Sequence, residues 1–195
     1  MDFQILGPLE VRRERGAVQL RGLKPRAVLA VLLLHANEPV SAERLSVGLW
    51  GEDAPAGAVK TVQVHVSRLR RALGDHEAIT TTPAGYRLRV SPGELDAERF
   101  ARGVAEGQRA LEVSDAERAG VVLREALALW RGPALPELAF EPFAPAEIAR
   151  LEDQRLVALE ARVEADLAAG AHVALVVSCS SCGLSIRRVS GFRLS

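Results

Sequence analysis

The chain opens with short alternating bursts of apolar residues and then settles into helical spacing. Phe3, Ile5 and Leu6, then Leu9 and Val11, then Val18 and Leu20 are separated by Gly7-Pro8 and Arg15-Gly16. That pattern predicts short strands joined by turns, a small antiparallel sheet. A helix is expected from Pro25 to Asn37, with proline in its first turn and Val28, Leu29, Leu32 and Leu33 facing inward. Ser41 is placed to cap a second helix over residues 42–50 with a partial capping box, and Gly51 ends it. A loop rich in proline, glycine and acid covers 52–57. A third helix then runs from Val59 to Leu73, and Gly74 stops it as a left-handed cap. Ile79–Thr82 and Tyr86–Val90 flank Pro83-Ala84-Gly85 and predict a hairpin. A sheet, three helices and a hairpin add up to an α+β winged helix.

The 59–73 helix carries the candidate chemistry. Val59, Val62, Val66, Leu69 and Leu73 form its apolar stripe. Lys60, Thr61, Val64, Ser67, Arg68 and Arg71 lie opposite, with Gln63 and Arg70 on one flank and His65 on the other. No carboxylate interrupts the series until Asp75. A docked helix with an acid-free basic face suits the DNA major groove, where Arg and Gln read base edges and cations bind phosphate. Val64 is the apolar residue central to that face, and a thymine methyl would give it a partner. Periodicity alone fits a solvated basic helix equally well. The hairpin that follows, with Thr80–Thr82 and Arg87 suited to phosphate and the minor groove, favours DNA.

From Leu95 the pattern is helical throughout. Asp96 is expected to cap a helix to Leu111, and Ser114 or Asp115 a second one to Trp130, stopped by Gly132-Pro133. After a Pro-rich linker (133–145) a long third helix reaches about Ala169. Helix pairs of this length have a tetratricopeptide-like character, although the 34-residue consensus is not literally present. Carboxylates alternate with arginines at helical spacing and read as solvated faces rather than as acid–base pairs.

The formal charge is zero, but it is unevenly spread. Residues 1–92 hold 13 Lys/Arg against 9 Asp/Glu, and residues 93–170 hold 9 against 16. A basic half joined to an acidic half fits a nucleic-acid module fused to a protein-interaction module. The opening Met-Asp-Phe-Gln-Ile lacks a signal-peptide pattern, and the longest apolar run outside the tail, 27–34, is too short to span a membrane. Both cysteines, Cys179 and Cys182, lie in the tail, so a cytoplasmic location is expected. The four histidines (35, 65, 76, 172) show no metal spacing, and neither a phosphate loop nor a Ser/His/Asp grouping is present. No enzyme, cofactor, metal or membrane partner is expected.

A family resemblance enters through Gly7-Pro8-Leu9-Glu10-Val11, Lys24-Pro25-Arg26-Ala27-Val28-Leu29-Ala30, Leu49-Trp50-Gly51, the 64–73 segment and Gly85-Tyr86-Arg87-Leu88. In the second half it is carried by Phe100, residues 123–132, Glu141-Pro142-Phe143 and Ala149-Arg150-Leu151-Glu152. Over residues 1 to about 170 these motifs resemble the Streptomyces antibiotic regulatory proteins (the AfsR/SARP family), which join an OmpR-like winged helix to a bacterial transcriptional activation domain. The resemblance implies a pathway-specific activator of secondary-metabolite genes. Such a protein would bind direct repeats in double-stranded DNA near the −35 region and recruit RNA polymerase, as a homodimer or a side-by-side tandem. It implies DNA contacts from Lys60, Thr61, Val64, His65, Ser67, Arg68, Arg70, Arg71 and the wing residue Arg87. Position 65 holds His where many relatives carry an aromatic.

The expected division is 1–92 as winged helix, 93–170 as an incomplete activation domain and 171–195 as a poorly ordered, out-of-frame tail. Permitted codons for 177–195, shifted by two bases, can encode a family-like helix. That would make the Cys179/Cys182 spacing an accident of frame, and a zinc site using His172 would lack a fourth ligand. The division predicts that 1–92 folds alone. It also predicts that the stripe Leu151, Leu156, Leu159, Val163 and Leu167 stays partly uncovered. Two other readings remain open: an activation-defective DNA-binding protein and a protein-interaction adaptor.

Overall fold

The computed structural model describes residues 1–14 and 16–170; the expectations for the tail and its cysteines lie outside the described residues. Strands β1 (Asp2–Gln4), β2 (Glu10–Arg13) and β3 (Gly16–Ala17) form an antiparallel sheet in sequence order, with Phe3 opposite Val11. Helix α1 (Leu23–Leu34) follows, then β4 (Pro39–Val40), α2 (Ala42–Trp50) and α3 (Ala58–Leu73). Strands β5 (Ile79–Thr82) and β6 (Gly85–Leu88) make the expected hairpin, and β4 adds to it in the order β4-β6-β5. The pairing of β4, two residues long, was not legible from periodicity.

Helix α1 is buried on nearly every side, from Ala27 to Leu33, because sheets and helices surround it. It ends before Asn37 for a specific reason. Asn37 takes a positive φ of 66°, its amide donates to the Val90 carbonyl at 2.9 Å, and its oxygen accepts from the Val90 N–H at 2.9 Å. The side chain therefore pins the end of α1 to the segment after β6. Ser41 caps α2 as expected, its hydroxyl accepting from the Arg44 N–H at 3.1 Å. Gly85 brings the hairpin against β4 so closely that a Cβ there would meet the Val40 carbonyl oxygen at 2.1 Å, a separation available only to glycine.

Helices α4 (Asp96–Glu112), α5 (Ala116–Leu127) and α6 (Ala144–Ala168) form the second half, with a 3₁₀ turn at Pro136–Leu138. Two expectations need correction here. Asp96 does not cap α4. Its buried carboxylate accepts from the Ile5 N–H (2.9 and 3.0 Å), the Leu6 N–H (3.0 Å) and the Ala97 N–H (2.8 Å). Helix α5 ends at Leu127, not Trp130. The indole turns inward against Phe100, edge to face at 5.6 Å between centroids, and the Arg155 guanidinium stacks 4.7 Å from it. The residues beyond then run along the first turn of the chain, the Arg131 N–H on the Leu6 carbonyl (2.8 Å) and the Leu135 N–H on that of Gly7 (2.9 Å).

The two halves share one apolar core. A single cluster joins Phe3, Ile5, Leu6, Leu9, α1 and α3 to Phe100, Trp130, Leu135, Leu138 and Leu151. Polar ties cross it as well: Lys24 to Glu141 at 2.9 Å, Arg26 to Glu137, and the Leu9 N–H to Glu137 at 2.9 Å. Residue 92 is a change of architecture without being a gap between cores, and a 1–92 fragment would leave part of that shared core uncovered. On α6, Leu151 is buried while Leu156 and Leu167 are about half exposed, close to the pattern expected for its stripe. No helix among the described residues is long and apolar enough to cross a membrane.

Candidate nucleic-acid interface

Helix α3 is anchored by Val62, Val66, Leu69 and Leu73, all at 1% exposure or less. It starts after Gly57 and ends at Gly74, whose φ of 54° turns the chain out of the helix. Lys60, Gln63, Val64, Ser67, Arg68 and Arg71 are exposed along the opposite side. Lys60, Val64, Ser67 and Arg71 follow one another by three or four residues, and Arg68 lies four from Val64 and three from Arg71, so the five form one ridge. Val64 is 48% exposed in the middle of it, an apolar contact point between cations. Arg70 and Arg71 occupy the last turn, where cations complement the helix dipole.

The structure does not bring all nine expected contact residues onto that ridge. His65 is buried at 8% exposure, among the core side chains, and its Nδ1 has no hydrogen-bond partner. It occupies the inward position between Val62 and Leu69, so a base contact from it is not what this placement offers. Burial pushes its imidazole pKa below the ordinary value, and Arg68 and Lys24 push it the same way. Arg70 is also engaged: its Nε donates to the Ile79 carbonyl (2.7 Å) and a terminal nitrogen donates to Thr81 Oγ1 (2.9 Å). Arg70 thus fixes the wing against the helix. Thr61 is half-buried in the first turn, its hydroxyl directed at the Gly57 carbonyl at 3.4 Å.

The wing follows a strict two-residue alternation, with Tyr86 and Leu88 inside and Arg87 and Arg89 outside. Thr81 and Tyr86 are directly opposed and face α3, since Arg70 reaches Thr81. Thr80 and Arg87 are the next opposed pair and project from the other face of the hairpin. Arg87 is therefore exposed but stands apart from the α3 ridge. Arg89 beside it is held 3.8 Å from Asp75.

Gln63, on a flank of the helical wheel, is not among the nine expected contacts. It is exposed and lies one turn from Ser67, and its amide is the group type that pairs with adenine. The helical wheel placed it on a flank. What moved it to the open face was the burial of His65, which rotates the buried stripe away from that flank. The signal available beforehand was weak: a histidine within an apolar run can be core.

Known proteins are similar along almost the whole chain. Residues 20–88 match the family described as "Transcriptional regulatory protein, C terminal", and residues 95–182 match "Bacterial transcriptional activator domain". The chain is 37% identical to the "Regulatory protein DnrI" of Streptomyces peucetius over 93% of its own length and 70% of that protein's. It is 35% identical to the "Transcriptional regulatory protein EmbR" of Mycobacterium tuberculosis, over 90% of this chain and 47% of EmbR. The solved structure of that EmbR in complex with a low affinity phosphopeptide matches with a TM-score of 0.88 at 33% identity, over 93% of this chain and 49% of the other. The chain thus spans 70% of DnrI and about half of EmbR.

Proposed function

The chain belongs to the Streptomyces antibiotic regulatory protein family of transcriptional regulators, and from that membership we propose that it is a sequence-specific DNA-binding activator. The ridge Lys60, Val64, Ser67, Arg68 and Arg71 enters the major groove, with Gln63 at its edge, and Arg87 on the wing binds backbone or minor groove. The observation that carries this reading is the exposure of an acid-free cationic ridge on a helix whose other face is locked into the core. Arg68 and Gln63 are the base readers by residue type, Val64 the thymine-methyl contact, and Lys60 and Arg71 the phosphate ligands. Arg70 and His65 act behind them, the first by seating the wing and the second by filling the core side of the helix.

Direct repeats near a −35 element are the expected operator, occupied by two copies side by side, and RNA polymerase is the protein partner approached through the helical half. The genes served are those of a secondary-metabolite pathway, and the working compartment is the cytoplasm. The relatives named above are regulators, and no enzymatic activity is assigned. The test is a gel shift with the chain and promoter fragments from its own genomic neighbourhood, followed by footprinting. Protection of two directly repeated half-sites, lost in Arg68→Ala, supports the reading. Equal affinity for all fragments, or unchanged binding by Arg68→Ala, overturns it.

A further inference from the structure

The helical half holds a second surface that DNA binding does not use. Helix α5 packs tightly on α4: a Cβ at Gly107 would meet the Leu123 side chain at 2.5 Å. Helix α6 also packs on α5, through Ala161, Ala165 and the 2.7 Å Arg124–Asp166 pair. With α5 wedged behind them, α4 and α6 splay on the other side. Between them lies a trough of about 580 Å³ lined by Phe100, Val104, Val157 and several alanines. Gln108 and Val157 also border a second hollow of about 630 Å³ further along the same helix pair. The two form one groove from Ala146 to Glu164, roughly 27 Å at the rise of a helix. That length and the alanine floor suit a helix laid along the groove.

Charge decides what kind of helix. Asp153 borders the first hollow, and Glu112, Glu160 and Glu164 border the second. None of the four is ion-paired among the described residues. The groove's cation, Arg150, is already engaged by Glu147 at 2.9 Å. Val157, at the junction, is 45% exposed. Unpaired carboxylates along an apolar floor are complementary to a segment with apolar residues on one face and Lys or Arg at its edges.

We propose that the α4/α6 groove is a docking site for a basic amphipathic helix of another protein. The proposal rests on the helical half being the protein-interaction module of the regulator reading, and it names the chemistry of the segment received. Recognition is by burial of the partner's apolar stripe over Val104, Val157 and the exposed alanines 101, 105, 146 and 149, with its cations set against Asp153, Glu160, Glu164 and Glu112. The α3 ridge of a second copy, also cationic with an apolar centre, is the competing occupant.

The experiment uses the full chain and a fluorescein-labelled helical peptide with leucine at i, i+3, i+4 and i+7 and lysine at the flanking positions, followed by fluorescence anisotropy. Saturable one-to-one binding is expected, weakened at least about tenfold by Glu160→Lys/Glu164→Lys and by Ala149→Trp, and weakened by salt. The same peptide with glutamate for lysine should not bind. Positions 149, 160 and 164 are exposed, so these variants should fold and shift operator DNA like the parent. Absent binding, or equal binding to parent and both variants, overturns the proposal while leaving the DNA reading untouched. So does a dimer in sedimentation that Ala149→Trp dissociates, since the groove would then hold a second copy. Failure of the parent to shift DNA strikes the DNA reading and not the groove.

Discussion

Asp96→Ala should loosen both halves of the molecule together. The Asp96 carboxylate is 1% exposed and accepts three backbone N–H groups at 2.8–3.0 Å, two of them, Ile5 and Leu6, from the far end of the chain. Arg131 lies 3.9 Å away, too distant to replace those bonds. Burial raises the Asp96 pKa, while the N–H donors and Arg131 pull it down. Removing the carboxylate leaves the Ile5 and Leu6 N–H groups without their acceptor in a dry site, at about 1–3 kcal/mol each. Relief of the carboxylate's own desolvation offsets part of this, so a net loss of about 3 kcal/mol is expected. For a chain of this size that is roughly 6–12 °C in Tm. Asp96→Asn keeps one acceptor oxygen and should lose about half as much. The assay is urea unfolding followed by tryptophan fluorescence in Trp50→Phe and Trp130→Phe backgrounds, so that each half reports separately. Because one core joins the halves, both probes should shift together. A loss below about 1 kcal/mol, or a shift confined to one probe, would refute the reasoning.

Three further outcomes follow from the same contacts. Arg68→Ala should lower specific affinity by about 1–3 kcal/mol and relax one base pair, whereas Arg71→Ala should weaken all sequences and reduce the salt slope by about one, read from gel shifts at several salt concentrations. His65 and His35 both have pKa values lowered first by burial and then by nearby arginines. The unfolded chain therefore takes up protons that the folded one refuses, and stability should fall as the pH drops through the ordinary imidazole value of 6.5. His65→Leu should lessen that fall and leave DNA affinity unchanged; an affinity loss would restore His65 as a contact. A fragment of residues 1–92 lacks Glu94, Asp96 and Glu137 as acceptors for the Phe3, Ile5, Leu6 and Leu9 N–H groups. It should unfold at lower urea than the whole chain, by circular dichroism, and a fragment as stable as the whole chain would show that the shared core contributes little.

Local rules, read from the amino-acid order alone, settled much of this protein. Ser41 capping α2, Gly74 ending α3, the hairpin turn at Pro83-Ala84 and the 3.6-residue stripe Val62, Val66, Leu69, Leu73 each depend on neighbours within a few residues, and each is visible in the linear order. The family motifs were legible for the same reason. Tertiary structure decided what depends on distant partners. Whether His65 faced a groove or the core was set by how α3 docks, because a wheel fixes angles within a helix but not its rotation against the body. Arg70 became a wing brace because Ile79 and Thr81 came within reach, and Trp130 left its helix to meet Phe100 and Arg155. Asp96 looked like a cap because capping is local chemistry, yet its best donors, Ile5 and Leu6, lie about ninety residues away in the chain. A buried carboxylate is stabilised by whichever N–H groups the fold delivers, and only packing the two halves into one core delivered those.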